Sequence, residues 1–165
     1  MRATLTALLL LCTAWADAQQ LTLEKIFPMT EMPLMSVSAT LQKEYKYVVT
    51  DLAVPETNTP EKGDSTVFLQ KLSGKNIRDI MLVHKYTDGK TTVMFSYTTF
   101  DSLEYAAGLA WVRSMEFDAA DVNFQSSIAN DPLVFEKGKM RVKTFWARYE
   151  DGTKYYVMDV IRFPE

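Results

Sequence analysis

Two Asp-Gly dipeptides, each lying between runs of apolar residues, constrain the fold of this chain more than any other feature. Asp-Gly between alternating apolar residues is the strongest short-range indication of a two-residue β-hairpin turn, because both residues tolerate positive φ. The sequence therefore predicts two antiparallel hairpins. Written as strand, turn and strand, they are Ile80–Tyr86, Asp88-Gly89 and Thr91–Phe100, and Met140–Tyr149, Asp151-Gly152 and Lys154–Phe163.

Three further segments complete the predicted element order. A helix is predicted over 102–115, where Asp101 can cap the first turn and Glu104 has the capping-box spacing. Apolar residues alternate over 35–49, which predicts one long first strand. Residues 19–34 contain two prolines and are predicted to form an irregular lead-in.

These elements predict an α+β, β-rich single domain over residues 35–165. The expected architecture is an antiparallel curved sheet, built from the two hairpins and the long first strand, with one main helix lying on one face. A partly open β-barrel is the alternative arrangement. The length of the chain fits one domain.

The N-terminus has the pattern of a secretory signal peptide. Arg2 precedes an apolar run over 3–14, and Ala16-Asp17-Ala18 supplies small residues at the positions that a signal peptidase reads. Cleavage is therefore expected before Gln19, which makes 1–18 the signal peptide. The apolar run is shorter than the ~20 residues that a membrane-spanning helix needs. We expect an exported protein, periplasmic or extracellular, without a membrane span after cleavage.

Composition after cleavage is that of a disulfide-free, ordinarily charged protein. Cys12 is the single cysteine and leaves with the signal peptide. The net charge of −3 is unchanged by the loss of Arg2 and Asp17, and it argues against general nucleic-acid binding.

The two-residue turn predicts the register of the second hairpin. It places Trp146 opposite Val157, Val142 opposite Ile161, Met140 opposite Phe163, and Thr144 opposite Asp159, all on one face. A carboxylate on such an apolar face is costly unless it is hydrogen-bonded or neutral. Either Thr144 or a backbone amide satisfies Asp159, or the carboxyl has the raised pKa of a functional group.

The first hairpin places the single histidine on an apolar face. His84 lies opposite Val93 and shares its face with Ile80, Leu82, Phe95 and Tyr97 in this interpretation. A lone histidine in such surroundings is typical of a core residue. If His84 and Asp159 met in one cleft, however, they would form an acid–base pair.

The other face of the second hairpin suggests an anion site. The predicted register sets Arg141 opposite Arg162, and like charges directly opposite each other destabilise a sheet. Acidic neighbours or a bound anion would relieve this repulsion. Phe95, Tyr97 and Trp146 are the candidate wall residues of an apolar ligand site.

Three methionines at intervals of three residues form a candidate metal site. Met29, Met32 and Met35 offer thioether sulfurs, which are soft ligands that suit Cu(I). Methionine also fills gaps in protein cores, so the spacing is compatible with a purely structural role.

Three functional hypotheses follow from these residues. The first is a non-enzymatic binding module for a lipophilic or anionic ligand, or for a protein partner, because both hairpins carry apolar residues on both faces. The second is a Cu(I)-binding protein that uses the three methionines. The third is a small hydrolase or isomerase that uses His84 and Asp159. Apart from Cu(I) in the second hypothesis, no cofactor is predicted.

Overall fold

The computed structural model describes five stretches of the chain. They are residues 20–53, 64–73, 76–87, 90–120 and 132–164. The expected signal peptide (1–18) and the predicted turn at Asp88-Gly89 lie outside the described residues.

Within these stretches the chain forms three α-helices and eight antiparallel β-strands. The helices are α1 (Leu23–Met29), α2 (Leu34–Tyr45) and α3 (Ser102–Ser114). The strands are β1 (Val48–Ala53), β2 (Ser65–Ser73), β3 (Asn76–Thr87), β4 (Lys90–Thr99), β5 (Asp118–Ala120), β6 (Leu133–Lys137), β7 (Met140–Arg148) and β8 (Lys154–Arg162).

All eight strands belong to one open sheet in the order β1-β2-β3-β4-β8-β7-β6-β5. Two meanders of four strands, β1–β4 and β5–β8, are joined where β4 pairs antiparallel with β8. The predicted α+β, β-rich class with an antiparallel sheet is confirmed. The described strands form an open sheet with β1 and β5 at its edges, rather than a closed barrel.

The three helices contribute to one core on a single face of the sheet, here called the inner face. Directly paired residues share a face, and the buried residues Val67, Leu82, Phe95 and Val160 lie in one such row. The core also takes residues from all three helices: Leu23, Ile26 and Met29 of α1, Leu34, Val37, Leu41 and Tyr45 of α2, and Val112 of α3. The opposite side, with Phe68, Met81, Ser96 and Asp159 in one row, is the outer face.

The predicted long first strand is wrong over most of its length, because 34–45 is helix α2. Its buried apolar residues Leu34, Val37, Leu41 and Tyr45 follow helical spacing and form one face. Lys46, with φ at 62°, ends the helix, and the strand begins only at Val48. The lead-in is likewise not irregular throughout, since Leu23–Met29 forms α1.

The first hairpin has the predicted register. Thr87 pairs with Lys90, which leaves two residues between them, and His84 pairs with Val93 as expected. The helix predicted over 102–115 is also confirmed, and the side chain of Asp101 accepts hydrogen bonds from the backbone amides of Leu103 and Glu104.

The second hairpin is shifted by one residue from the predicted register. The amide of Tyr149 donates to the carbonyl of Thr153, and that of Gly152 donates to the carbonyl of Tyr149. Gly152 has φ at +85°, whereas Asp151 is not among the residues with positive φ. This is the geometry of a three-residue loop with a glycine bulge, the other hairpin connection that Asp-Gly supports.

The shift changes which residues face one another. Lys143, rather than Thr144, pairs with Asp159. Because the side-chain period of a strand is two, a slip of one residue moves Asp159 to the opposite face from Thr144. The other observed pairs are Trp146 with Tyr156, Val142 with Val160, and Met140 with Arg162.

Candidate functional site

A groove of about 480 Å³ crosses strands β1 to β4 on the outer face. Its lining residues are Thr50, Asp51, Phe68, Leu69, Gln70, Asp79, Ile80, Met81, Ser96 and Thr98. None of them is Lys, Arg or His, and two of them are aspartates. The groove therefore combines negative charge with hydroxyl, amide and apolar groups.

The two aspartates of the groove lack cationic partners in the described part of the chain. Asp79 accepts a hydrogen bond from the side-chain amide of Gln70 (2.9 Å). Asp51 accepts one from the backbone amide of Leu52 (2.8 Å). Both partners are neutral, so the negative charge of each carboxylate is not balanced by a neighbouring cation.

Apolar side chains lie beside these carboxylates. Phe68 is 37% exposed, and Met81 is half-buried next to it across β2 and β3. The helices α1, α2 and α3 pack on the inner face, so none of these three helices covers Phe68 or Met81. Small-molecule sites combine apolar surface with a few placed polar groups, and this groove contains both kinds of group.

A third carboxylate adjoins the groove through Ser96. The hydroxyl of Ser96, which lines the groove, donates to Asp159 Oδ1 at 2.6 Å. Burial raises the pKa of Asp159, while the Ser96 hydrogen bond and the charge of Lys143 oppose that rise. The hydrogen-bond partner of Asp159 is therefore Ser96 rather than Thr144.

A second polar cluster, centred on Glu104, lies on the inner face and locks α3 to the sheet. The carboxylate of Glu104 accepts hydrogen bonds from Arg78 Nε (2.9 and 3.0 Å), the Tyr97 hydroxyl (2.9 Å), the Thr99 hydroxyl (2.6 Å) and the Gln20 amide (2.8 Å). Burial raises the pKa of Glu104, but the hydrogen bonds from Arg78 and Thr99 outweigh it and the net pKa is lowered.

This cluster is structural rather than reactive. Side chains of four residues already donate to the Glu104 carboxylate, and a carboxylate held ionised in this way is poorly suited to proton transfer. A cleft of about 210 Å³ lies beside it, between residues 20–24 and α3. The hydroxyl of Tyr47 is buried nearby and lacks a hydrogen-bond partner within the described residues; burial also raises its pKa.

The predicted arginine pair does not form. Arg141 pairs with Ile161 and Arg162 with Met140, so the two arginines lie on opposite faces of the sheet. Each already has a carboxylate partner: Arg141 Nε donates to Glu136 (2.6 Å), and Arg162 is paired with Glu31. The prediction was wrong because it rested on the two-residue turn.

The predicted wall residues have different surroundings from those expected. Phe95 and Tyr97 are 1% and 2% exposed and belong to the core, although Tyr97 also lines the small cleft. Trp146 is half-buried on the inner face, with Lys154 Nζ 4.1 Å from its ring centroid.

The acid–base pair is not brought together either. His84 lies on the inner face, in one row with Val93 and Arg162, whereas Asp159 lies on the outer face. The sheet itself separates the two side chains. Burial lowers the pKa of His84, in keeping with a neutral, core-facing histidine.

The three methionines lie in three different environments. Met29 is 6% exposed in the core, Met32 packs against the core, and Met35 is 58% exposed on α2. Copper binding by these sulfurs stays a prediction. Among the described residues, no group of three or more His, Cys, Asp or Glu is placed to hold a metal ion.

The groove residues carry little signal in the sequence. Asp51, Gln70 and Asp79 come from three strands, and only the pairing of β1, β2 and β3 brings them together. Polar residues in the middle of otherwise apolar strands, such as Ser96 and Asp159, are the one pattern that points to a functional outer face.

Comparison with known proteins does not assign a family. No family model matches the chain, and neither a curated protein nor a solved structure matches it. Among the described residues, no helix is long and apolar enough to cross a membrane.

Proposed function

We propose that this protein is an exported, non-enzymatic binding module that holds a positively charged, partly apolar small molecule in the outer-face groove. The observation that carries the proposal is the lining of that groove. Asp51 and Asp79 have only neutral hydrogen-bond partners in the described part of the chain, and they share the groove with Phe68 and Met81.

Electrostatics favours a cation in such a place. At an effective dielectric constant of about 20, two opposite unit charges 4 Å apart attract by about 4 kcal/mol before desolvation is subtracted. Asp79 is half-buried, so salt screens it less than a fully exposed carboxylate. Gln70 holds the Asp79 carboxylate in place, which reduces the entropy lost when a ligand binds.

The apolar part of the ligand is supported by Phe68 and Met81. Burial of apolar surface contributes about 25 cal/mol per Å², so a short alkyl or aromatic portion adds useful affinity. The anionic ligand of the sequence-based hypothesis is not retained, because Arg141 and Arg162 are already paired with carboxylates.

Two probes with the same chain and opposite charge test the proposal. The mature protein is titrated calorimetrically with octyltrimethylammonium and, separately, with octyl sulfate, both below their micelle concentrations. We expect the ammonium to bind more tightly than the sulfate. Tighter binding of the sulfate, or equal binding of both, would contradict the proposal.

A matched pair of variants tests whether the ammonium probe binds in the groove. Asp79→Asn keeps the acceptor for Gln70 and removes only the charge, so it is expected to weaken ammonium binding by about tenfold, which corresponds to about 1.4 kcal/mol. Glu44→Gln removes an exposed charge on α2, away from the groove, and is expected to leave the affinity unchanged.

A further inference from the structure

Aromatic side chains adjoin the outer-face groove at the end where Asp79 lies. Asp79 pairs with Thr98, and Thr98 pairs with Val157, so these three residues form one row on the outer face. Two residues further along come Phe100, which directly follows β4, and Tyr155 of β8. Because side chains alternate between faces and two residues of a strand span about 7 Å, these aromatic residues form the next row on the same face.

Phe100, Tyr149 and Tyr155 contact one another and are here called the aromatic cluster. The rings of Phe100 and Tyr149 are stacked, with 6.0 Å between their centroids and 16° between their planes. The ring centroid of Tyr155 lies 4.6 Å from that of Tyr149 and 6.4 Å from that of Phe100. Tyr149 is 49% exposed and the other two are half-buried. The cluster therefore keeps exposed ring surface beside Asp79.

The surroundings of the aromatic cluster are negatively charged. Burial raises the pKa of the Tyr149 hydroxyl, and the charges of Asp79, Tyr155 and Asp151 raise it further. The influence of Asp79 on Tyr149 agrees with the neighbouring rows of the sheet. A cation bound here would meet ring faces on one side and the Asp79 carboxylate on the other.

Several other aromatic rings already carry one of the protein's own cations. Arg141 lies 5.0 Å from the ring centroid of Phe163, and Lys154 lies 4.1 Å from that of Trp146. Within the described stretches, no lysine or arginine is placed in this way over a ring of the aromatic cluster. The attraction of ring faces for a cation is therefore available to a ligand at this cluster.

We propose that the cation held in the outer-face groove is a quaternary ammonium group, which lies between Asp79 and the aromatic cluster. Such a group has no N–H donor and spreads its charge over methyl groups, which suit ring faces. A primary ammonium is instead strongly hydrated and gains most from hydrogen bonds to carboxylates. The apolar part of the ligand extends over Met81 and Phe68, whose row lies on the other side of Asp79. This inference rests on the proposed function and specifies its class of cation.

Two octyl probes that differ only in the methyl groups on nitrogen test the inference. The protein is titrated calorimetrically at neutral pH with octyltrimethylammonium and, separately, with octylammonium, both charged and below their micelle concentrations. We expect the quaternary probe to bind about tenfold more tightly, because each ring face that meets the cation contributes about two- to fivefold in affinity. Equal binding of the two probes, or tighter binding of octylammonium, would overturn the inference.

Three variants test whether this preference comes from the aromatic cluster. Tyr149→Leu removes one ring but keeps an apolar side chain, and we expect it to lower the preference for the quaternary probe about threefold. Tyr149→Phe has the ring without the hydroxyl and is expected to show the wild-type preference. Phe163→Leu removes a ring that already carries Arg141 and is expected to leave the preference unchanged. A preference that survives in full in Tyr149→Leu would contradict the role of the cluster.

Failure of this inference is distinguishable from failure of the proposed function. Each preference is a ratio of two affinities measured on one sample, so a partial loss of folded protein in a variant does not change it. If neither ammonium binds, or octyl sulfate binds as tightly as they do, the proposed function is wrong and the inference falls with it. If both ammonium probes bind more tightly than octyl sulfate but octylammonium binds at least as tightly as the quaternary probe, only the inference is wrong.

Discussion

The Glu104 cluster allows a quantitative prediction about stability. The side chains of Glu104 and Arg78 are 6% and 17% exposed, so solvent screens their interaction little. Breaking a buried ion pair by removing one partner costs about 3–5 kcal/mol. The whole free energy of unfolding of a typical domain is about 5–15 kcal/mol. Glu104→Gln keeps the shape and removes the charge, and we expect it to lower the free energy of unfolding by about 3–5 kcal/mol.

Urea denaturation followed by tryptophan fluorescence measures this change. The midpoint should fall while the slope of the unfolding free energy against urea stays constant. Glu44→Gln, at an exposed site on α2, should change stability by less than about 0.5 kcal/mol. A loss below about 1 kcal/mol in Glu104→Gln would refute the view that this cluster fixes α3 to the sheet.

The Glu104 carboxylate also predicts how the free energy of unfolding changes with pH. The pKa of Glu104 is lowered in the folded state. Its contribution to the free energy of unfolding is therefore complete above pH 4.5, the ordinary pKa of a glutamate side chain. It is lost as the pH falls from that value through the lowered folded pKa. The wild-type protein should therefore lose more stability than Glu104→Gln over this acidic range. Parallel curves for the two proteins would contradict the lowered pKa.

Two glycine substitutions test the packing of α3 and the turn of the second hairpin. Gly108→Ala places a methyl carbon 2.6 Å from Met158 Sδ, and this overpacking costs about 1–3 kcal/mol. That cost exceeds the gain of about 1 kcal/mol in helix propensity, so a lower urea midpoint is expected, and a higher one would show that Met158 yields freely. Gly152→Ala meets no atom within 4 Å, but Gly152 has φ at +85°. A loss of about 1 kcal/mol in the unfolding free energy is expected from the backbone alone, and no loss would contradict the bulged loop.

The local signals in the sequence predicted local structure well. The first hairpin and α3 were predicted correctly because turn chemistry and capping act over a few residues. The long first strand failed because residues 34–45 satisfy two periods at once. Val37, Leu41 and Tyr45 fit an alternating strand as well as a helix, whereas buried Leu34 and exposed Met35 fit only the helix.

Predicting the candidate site required the strand register and the strand order, which short sequence patterns do not determine. The register of the second hairpin was missed because Asp-Gly supports both a two-residue turn and a three-residue loop. That slip of one residue moved Asp159 and Arg141 relative to their expected partners. The pairing of β4 with β8, which brings Ser96 to Asp159, joins residues 63 positions apart, and topology alone determines it.

The central claim is that the outer-face groove binds a cation through Asp79. Native mass spectrometry of the protein, purified without denaturation from its own host, tests it most directly. We expect a co-purifying small organic cation that is lost in Asp79→Asn and kept in Glu44→Gln. An anionic ligand, or a cation that Asp79→Asn retains at full occupancy, would contradict it.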